Sequence, residues 1–203
     1  MNPVEAKQAA REAARARVGA MSPVERATAS AEVRRHLAAS DTWVGAGVVM
    51  LFAADETEPD LDALIDLGTA SGKTVCVPRI AWESKRLVPA AVADAAELGV
   101  GRYGIRVPRA TAREVPPELV ELVVVPGVVF DRVGGRVGRG GGFYDRFLAE
   151  RSALGPMPVV TIGACFATQV VGAVPGWDHD RSVDGLVTET GLVMVQRDTE
   201  GPG

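Results

Sequence analysis

Four short apolar runs limit what this chain can become: VGAGVVMLFA (Val44 to Ala53), TVCVP (Thr74 to Pro78), LVVVP (Leu122 to Pro126) and PVVTIGAC (Pro158 to Cys165). None alternates polar and apolar residues, so none can rest with one face in water. Each reads as a strand buried on both faces, the pattern of a parallel sheet. Such strands need covering helices, and the chain supplies them between the runs. An Ala-rich segment with spaced charges predicts a helix from Val4 to Val18. In the second helix Ser22 can act as N-cap, Pro23 fits the first helical position and Glu25 completes a capping box, so it should run to Ala38. Segments Leu61 to Leu67 and Phe143 to Arg151 continue the alternation. The expected class is a layered α/β domain with a mostly parallel sheet.

With 203 residues, 47% of them hydrophobic, the chain can bury one sizeable core, and a single domain over residues 1–197 is expected. Asp198 to Gly203 reads as a disordered tail. A formal net charge of −4 argues against nucleic acid or an anionic membrane as a general partner. No stretch reaches the ~18 apolar residues of a membrane span, and the N-terminus lacks an uninterrupted apolar targeting segment, so a cytoplasmic protein is expected. Cys76 and Cys165 lie inside apolar runs, which suits reduced core thiols.

One phosphate motif is a decoy. GTASGKT (Gly68 to Thr74) has three residues between its glycines where a P-loop has four, and it leaves a helix for a strand where a P-loop does the reverse. A glycine helix end with a solvated Lys73 is the expectation.

The stretch VGGRVGRGGGFYDR (Val133 to Arg146) is different. It follows a buried strand and enters the helix FYDRFLAER, so its last amides lie at a helix N-terminus, where free N–H groups and the helix dipole favour an anion. From Asp131 to Arg146 there are four arginines and two aspartates, a local excess of positive charge in a net-negative chain. Polyphosphate is the natural guest; a tight glycine hairpin with solvated arginines is the alternative. The spacing G-x-G-G-G does not match a dinucleotide fingerprint. Asp145 beside such a cradle suggests a divalent cation between carboxylate and phosphate, with a second carboxylate drawn from WDHDRSVDG (Trp177 to Gly185). Those aspartates could equally serve as turn residues. Lys7, Arg11 and Arg15 share one face of the first helix, a like-charge stripe that an external anion or simple solvation would explain.

PGVVFDRVGGRVGRGGGFYDRFL (Pro126 to Leu148) resembles the signature of the 5-formyltetrahydrofolate cyclo-ligase family. KQAAR (Lys7 to Arg11), TVCVPR (Thr74 to Arg79), YGIRVP (Tyr103 to Pro108) and VPGWDHDRSVDGLVTETG (Val174 to Gly191) are similar to further family blocks, in family order. The resemblance implies a single three-layer α/β/α domain related to the ribose-phosphate-isomerase and CoA-transferase-like folds. It also implies an ATP-dependent cyclisation: ATP phosphorylates the formyl oxygen of 5-formyltetrahydrofolate, N10 attacks the activated carbon, and loss of phosphate leaves 5,10-methenyltetrahydrofolate and ADP. No nucleophile and base need come from the protein, which positions the reactants and neutralises charge.

By the same resemblance Lys7 and Arg11 contact ATP phosphates, and Arg136, Val137, Gly138, Arg139, Gly140, Gly141, Gly142, Phe143 and Tyr144 form the nucleotide loop. Arg139, Gly140, Gly141, Gly142 and Phe143 are shared with folate, Arg139 is the catalytic candidate, and Asp145 and Asp180 are the magnesium positions. Glu56 and Leu51 match folate contacts. Two departures bear on this reading: the family's tyrosine pair is Phe143-Tyr144 here, and Glu-Thr-Glu-Pro replaces Glu-x-Asp-Thr, so that Glu58 competes with Glu56. The expected partners are small molecules, the expected metal is Mg2+, and the expected state is a monomer, with a dimer open. A nucleotide- or folate-binding relative without turnover is the alternative.

Overall fold

The structure is a computed structural model that describes residues 2–154, 158–175 and 180–196. The expected tail and three residues of the aspartate-rich loop, Trp177, Asp178 and His179, lie outside the described residues.

Helix α1 (Pro3–Gly19) starts on a capping box that Asn2 forms with Glu5, and α2 (Pro23–Ala38) starts on the expected box of Ser22 and Glu25. The first apolar run then divides. Its opening residues close a short helix, α3 (Asp41–Gly45), that buries Trp43, and only Val48–Met50 pair as strand β1. Ser40 caps α3 by accepting from the Trp43 N–H, a local signal that outweighs the apolar character of the residues after it. Helix α4 (Asp62–Ala70) follows, and Gly72 leaves it at φ +80, the helix end expected at the decoy. Lys73 is not simply solvated: its Nζ donates to the carbonyls of Val44 and Ala46 and lies 5.8 Å from the Trp43 ring, so it closes the end of α3.

Strands β2 (Thr74–Ala81) and β3 (Arg86–Ala91) form a hairpin, and β4 (Leu98–Val100) and β5 (Arg106–Pro108) form a small separate one. Next come β6 (Leu122–Val125), β7 (Val129–Asp131), β8 (Arg136–Val137) and helix α5 (Phe143–Ala153). The chain continues through β9 (Val160–Ala164), β10 (Val170–Val171), β11 (Gly185–Thr188) and β12 (Gly191–Met194).

The main sheet has the order β12-β11-β9-β6-β1-β2-β3; its five inner strands are parallel and each outer strand is antiparallel to its neighbour. Alternate residues of the inner strands go to opposite faces, as strand geometry requires. Val49, Val75, Val77, Leu122, Val124, Ile162 and Val187 pack with Val33 and Leu37 of α2, Trp43 of α3 and Leu64 and Ile65 of α4. Met50, Cys76, Val123, Val125 and Leu186 pack on the other face with Phe147 and Leu148 of α5. Two apolar layers therefore flank one sheet, which is why its strands carry no polar alternation. Both cysteines are buried and free, and burial raises the thiol pKa of Cys76 to about 12.

Candidate functional site

The cleft opens where parallel strands end at their carboxyl edge, the usual ligand position of such sheets. The chain leaving β1 contributes Phe52 to Asp55 and Glu58, the end of β2 contributes Val77, Pro78 and Ile80, and Pro126 and Gly127 follow β6. The glycine loop forms the opposite wall, and Lys7 and Arg11 approach from α1. The cleft has a volume of about 1000 Å³, at the upper end of the range for ligand pockets.

At one end the groups are closely tied. Gly142, at φ +62, is the N-cap of α5; no side chain caps this helix, so its first N–H groups remain available. A residue with Cβ would be strained in that conformation. Arg11 Nε donates to the Gly138 carbonyl at 2.9 Å, which binds α1 to the loop. Lys7 Nζ meets Asp180 Oδ2 at 2.6 Å, and Arg136 Nη2 meets Asp145 Oδ1 at 2.6 Å. The Arg181 N–H also donates to Asp145 Oδ1, at 3.3 Å, so the two carboxylate-bearing segments adjoin. Arg136 is buried, and its Nε finds no protein acceptor among the described residues. A buried cation with a spare donor beside uncapped helix amides is suited to an anion.

At the other end Arg139 reaches across to the chain after β1. Its Nη2 lies 2.5 Å from Asp55 Oδ2 and 3.0 Å from Glu58 Oε1. Burial pushes the Glu58 pKa above the ordinary glutamate range, although Arg139 opposes the shift. For Arg139 burial disfavours the charged form, but the Glu58 and Asp55 carboxylates outweigh it and raise its pKa. Burial also raises the Tyr144 hydroxyl, which stays protonated at neutral pH. Aromatic rings also line the wall: Phe143 meets the Trp82 ring edge-on at 5.6 Å, and the exposed Tyr103, outside the lining, meets Trp82 edge-on at 5.3 Å.

Thus Lys7, Arg11, Arg136 to Asp145 and Asp180 line one cavity. Leu51 and Glu56 do not. Leu51 is fully buried in the core under α2 and α4, and the exposed Glu56 faces a smaller hollow beside Arg26 and Arg34. Glu58, two residues on, is the glutamate that lines the cleft, because the turn stitched by Asp55 and Thr57 directs it inward. Arg15, the third member of the cationic stripe, is exposed and does not line the cavity. Sequence reasoning missed Asp55, Trp82 and Arg106 as wall residues. A tryptophan among charges, in IAWESK, was the available signal for Trp82.

Asp145 and Asp180 offer hard oxygen donors on one wall, each held by a cation, and no cluster of three or more potential ligands exists among the described residues. That set fits Mg2+ taken up together with phosphate oxygens and water, which uses only one or two carboxylates.

Comparison with known proteins gives the same direction. The chain is 24% identical over 190 residues to a mouse 5-formyltetrahydrofolate cyclo-ligase, covering 91% of this chain and 94% of that one. It is 31% identical over 147 residues to the Escherichia coli K12 protein of that name, covering 71% and 79%. Its fold is similar to an Aquifex aeolicus 5,10-methenyltetrahydrofolate synthetase, with a TM-score of 0.79 and 28% identity over 100% of this chain and 97% of that one. With the family model matching residues 3–189, nearly all of the chain, this protein belongs to the 5-formyltetrahydrofolate cyclo-ligase family.

Proposed function

We propose that this chain converts 5-formyltetrahydrofolate to 5,10-methenyltetrahydrofolate with consumption of ATP and release of ADP and phosphate. The observation that carries the reading is the position of Arg139, between the phosphate-suited end of the cleft and the carboxylate and aromatic end. In this reading Lys7, Arg11, Arg136 and the amides leading into α5 hold the triphosphate. Glu58 accepts hydrogen bonds from pterin N–H groups, the role that the sequence gave to Glu56, and the aromatic wall of Trp82 and Phe143 takes the rest of the folate.

Arg139 then stands where the transferred phosphoryl group and the formyl oxygen meet. Its guanidinium lowers the barrier by neutralising charge that builds on the phosphoryl oxygens. As the formyl oxygen bonds to phosphorus, the β-γ bridge bond breaks towards ADP. N10 then forms a bond to the formyl carbon and gives up its proton to solvent or to the leaving phosphate, which departs with the oxygen. The walls contribute orientation and exclusion of water. Asp145 and Asp180 would hold Mg2+, which shields phosphate charge. They bind it weakly alone, so magnesium uptake should require nucleotide.

The test is a coupled assay on purified protein with 5-formyltetrahydrofolate and Mg-ATP. Equal formation of the methenyl chromophore and ADP, both lost on chelation of magnesium, supports the reading. Binding of both ligands without either product identifies a non-catalytic relative.

A further inference from the structure

Asp131 touches nothing in the cleft, yet it is only 3% exposed and its carboxylate faces no cation among its assigned contacts. Three backbone N–H groups satisfy it. Oδ1 accepts from Val133 at 3.1 Å and Gly135 at 2.7 Å, which folds the turn between β7 and β8. Oδ2 accepts from Val174 at 2.9 Å, 43 residues away. The same turn makes a second long-range contact: the Gly134 carbonyl accepts from the Val183 N–H at 2.9 Å. That approach needs glycine, since Gly134 sits at φ +85 and a Cβ there would lie 2.4 Å from the Val183 carbonyl oxygen.

Val174 and Val183 stand on either side of Asp180 in the chain. The turn also leads directly into Arg136, the partner of Asp145. We propose that Asp131 is a positioning residue for the phosphate end of the cleft: its carboxylate, through the turn it folds, clamps the chain at Val174 and Val183 and so fixes Asp180 against Lys7 and Arg181 against Asp145. Three N–H donors on one carboxylate give the clamp a single geometry, and an orienting residue of this kind acts on affinity through the groups it holds. The inference rests on the reading of this end as the Mg-ATP site.

Asp131→Asn is the discriminating change. The amide oxygen still accepts from Val133 and Gly135, but its NH2 meets the Val174 N–H, donor against donor. By calorimetry, Mg-ATP should bind about tenfold or more weakly than to the wild type. In the coupled assay KM for Mg-ATP should rise while KM for the folate stays unchanged. Glu121→Ala is the control: Glu121 accepts from Gly47 and Val48, at the far end of the sheet, so its loss should lower Tm and leave both KM values alone. Should the asparagine variant not accumulate as folded protein, Val174→Pro removes the same hydrogen bond and leaves the turn intact.

A folded variant with unchanged Mg-ATP affinity overturns the clamp, as does an equal weakening for both substrates. A wild type that binds Mg-ATP without turnover overturns the proposed activity, and the calorimetric comparison still decides the clamp.

Discussion

The end of the cleft proposed to hold phosphate is built differently from the end proposed to hold folate. At the phosphate end the side chains are nearly enclosed: Lys7 is 12% exposed, Arg136 5% and Asp145 25%, and backbone groups hold the loop around them. At the folate end Arg139 is 49% exposed and Asp55 44%, and they join segments more than 80 residues apart through side chains alone. Enclosed pairs resist exchange, because removing one partner strands the other in a poor dielectric. Half-exposed pairs exchange cheaply, since solvent screens both members. The phosphate end is thus a preformed cradle. Arg139 leaves the exposed Asp55 at little cost, and its hold on Glu58, which is 8% exposed, is the part of this end that resists exchange.

Arg139→Ala should show the contrast most strongly. The kcat/KM value should fall by about 10²–10³-fold, while the thermal midpoint stays near that of the wild type. A large fall in Tm would mean that Arg139 is a strut. Arg136→Ala should reverse the balance and lose fold stability as well as activity. The cost should be about 2–3 kcal/mol in denaturant titration, less than for a fully dry pair because Asp145 is partly exposed. An Arg136 variant that is inactive with unchanged stability would erase the distinction between the ends.

The two glutamates sharpen the folate end. Glu58→Gln should raise KM for the folate about tenfold through loss of a charge-assisted acceptor, and Glu56→Gln should leave it unchanged. The opposite result would return the role to Glu56. The smallest expected effect concerns pH. Burial raises the folded-state pKa of Glu58 above its ordinary value of 4.5, so its contribution is fully present below that value and is lost as pH rises through the folded pKa. Replacing it with glutamine removes this loss, so Tm of the variant relative to wild type should increase as pH rises above 4.5. Asp55 acts in the opposite sense: burial opposes its ionisation, but Thr57 and Arg139 lower its pKa, and its contribution is lost on acidification. A flat difference between the variant and wild type would show that Glu58 is already compensated.

The same contrast governs what could be read from the sequence. The proposed phosphate end lies largely in one stretch, 136–145, where glycines, arginines and a helix start are neighbours, so local chemistry was enough to single it out as a candidate. Lys7 and Arg11 were visible as a stripe. The folate end joins Asp55, Trp82 and Arg139 through the sheet order, which no local pattern encodes. Glu58 illustrates the limit: resemblance pointed to Glu56 with Glu58 as its competitor, and the turn made by Asp55 and Thr57 decides which glutamate turns inward. The inner strands β2, β6 and β9 were legible because burial on both faces leaves unbroken apolar runs. Strand β3, RLVPAA, carries a charge and a proline and sits at a sheet edge, where such residues are tolerated and the strand signal weakens.

The pairing of Lys7 with Asp180 joins residues 173 positions apart. Helix α2, made early, covers β11 and β12, made late. During synthesis Lys7 and α2 would therefore emerge long before the carboxylate and strands that complete their surroundings, and sheets closed by such distant contacts form slowly. Nucleotide affinity should arise as one of the last events of folding, and Mg-ATP should stabilise the finished protein without rescuing fragments that end before Val183.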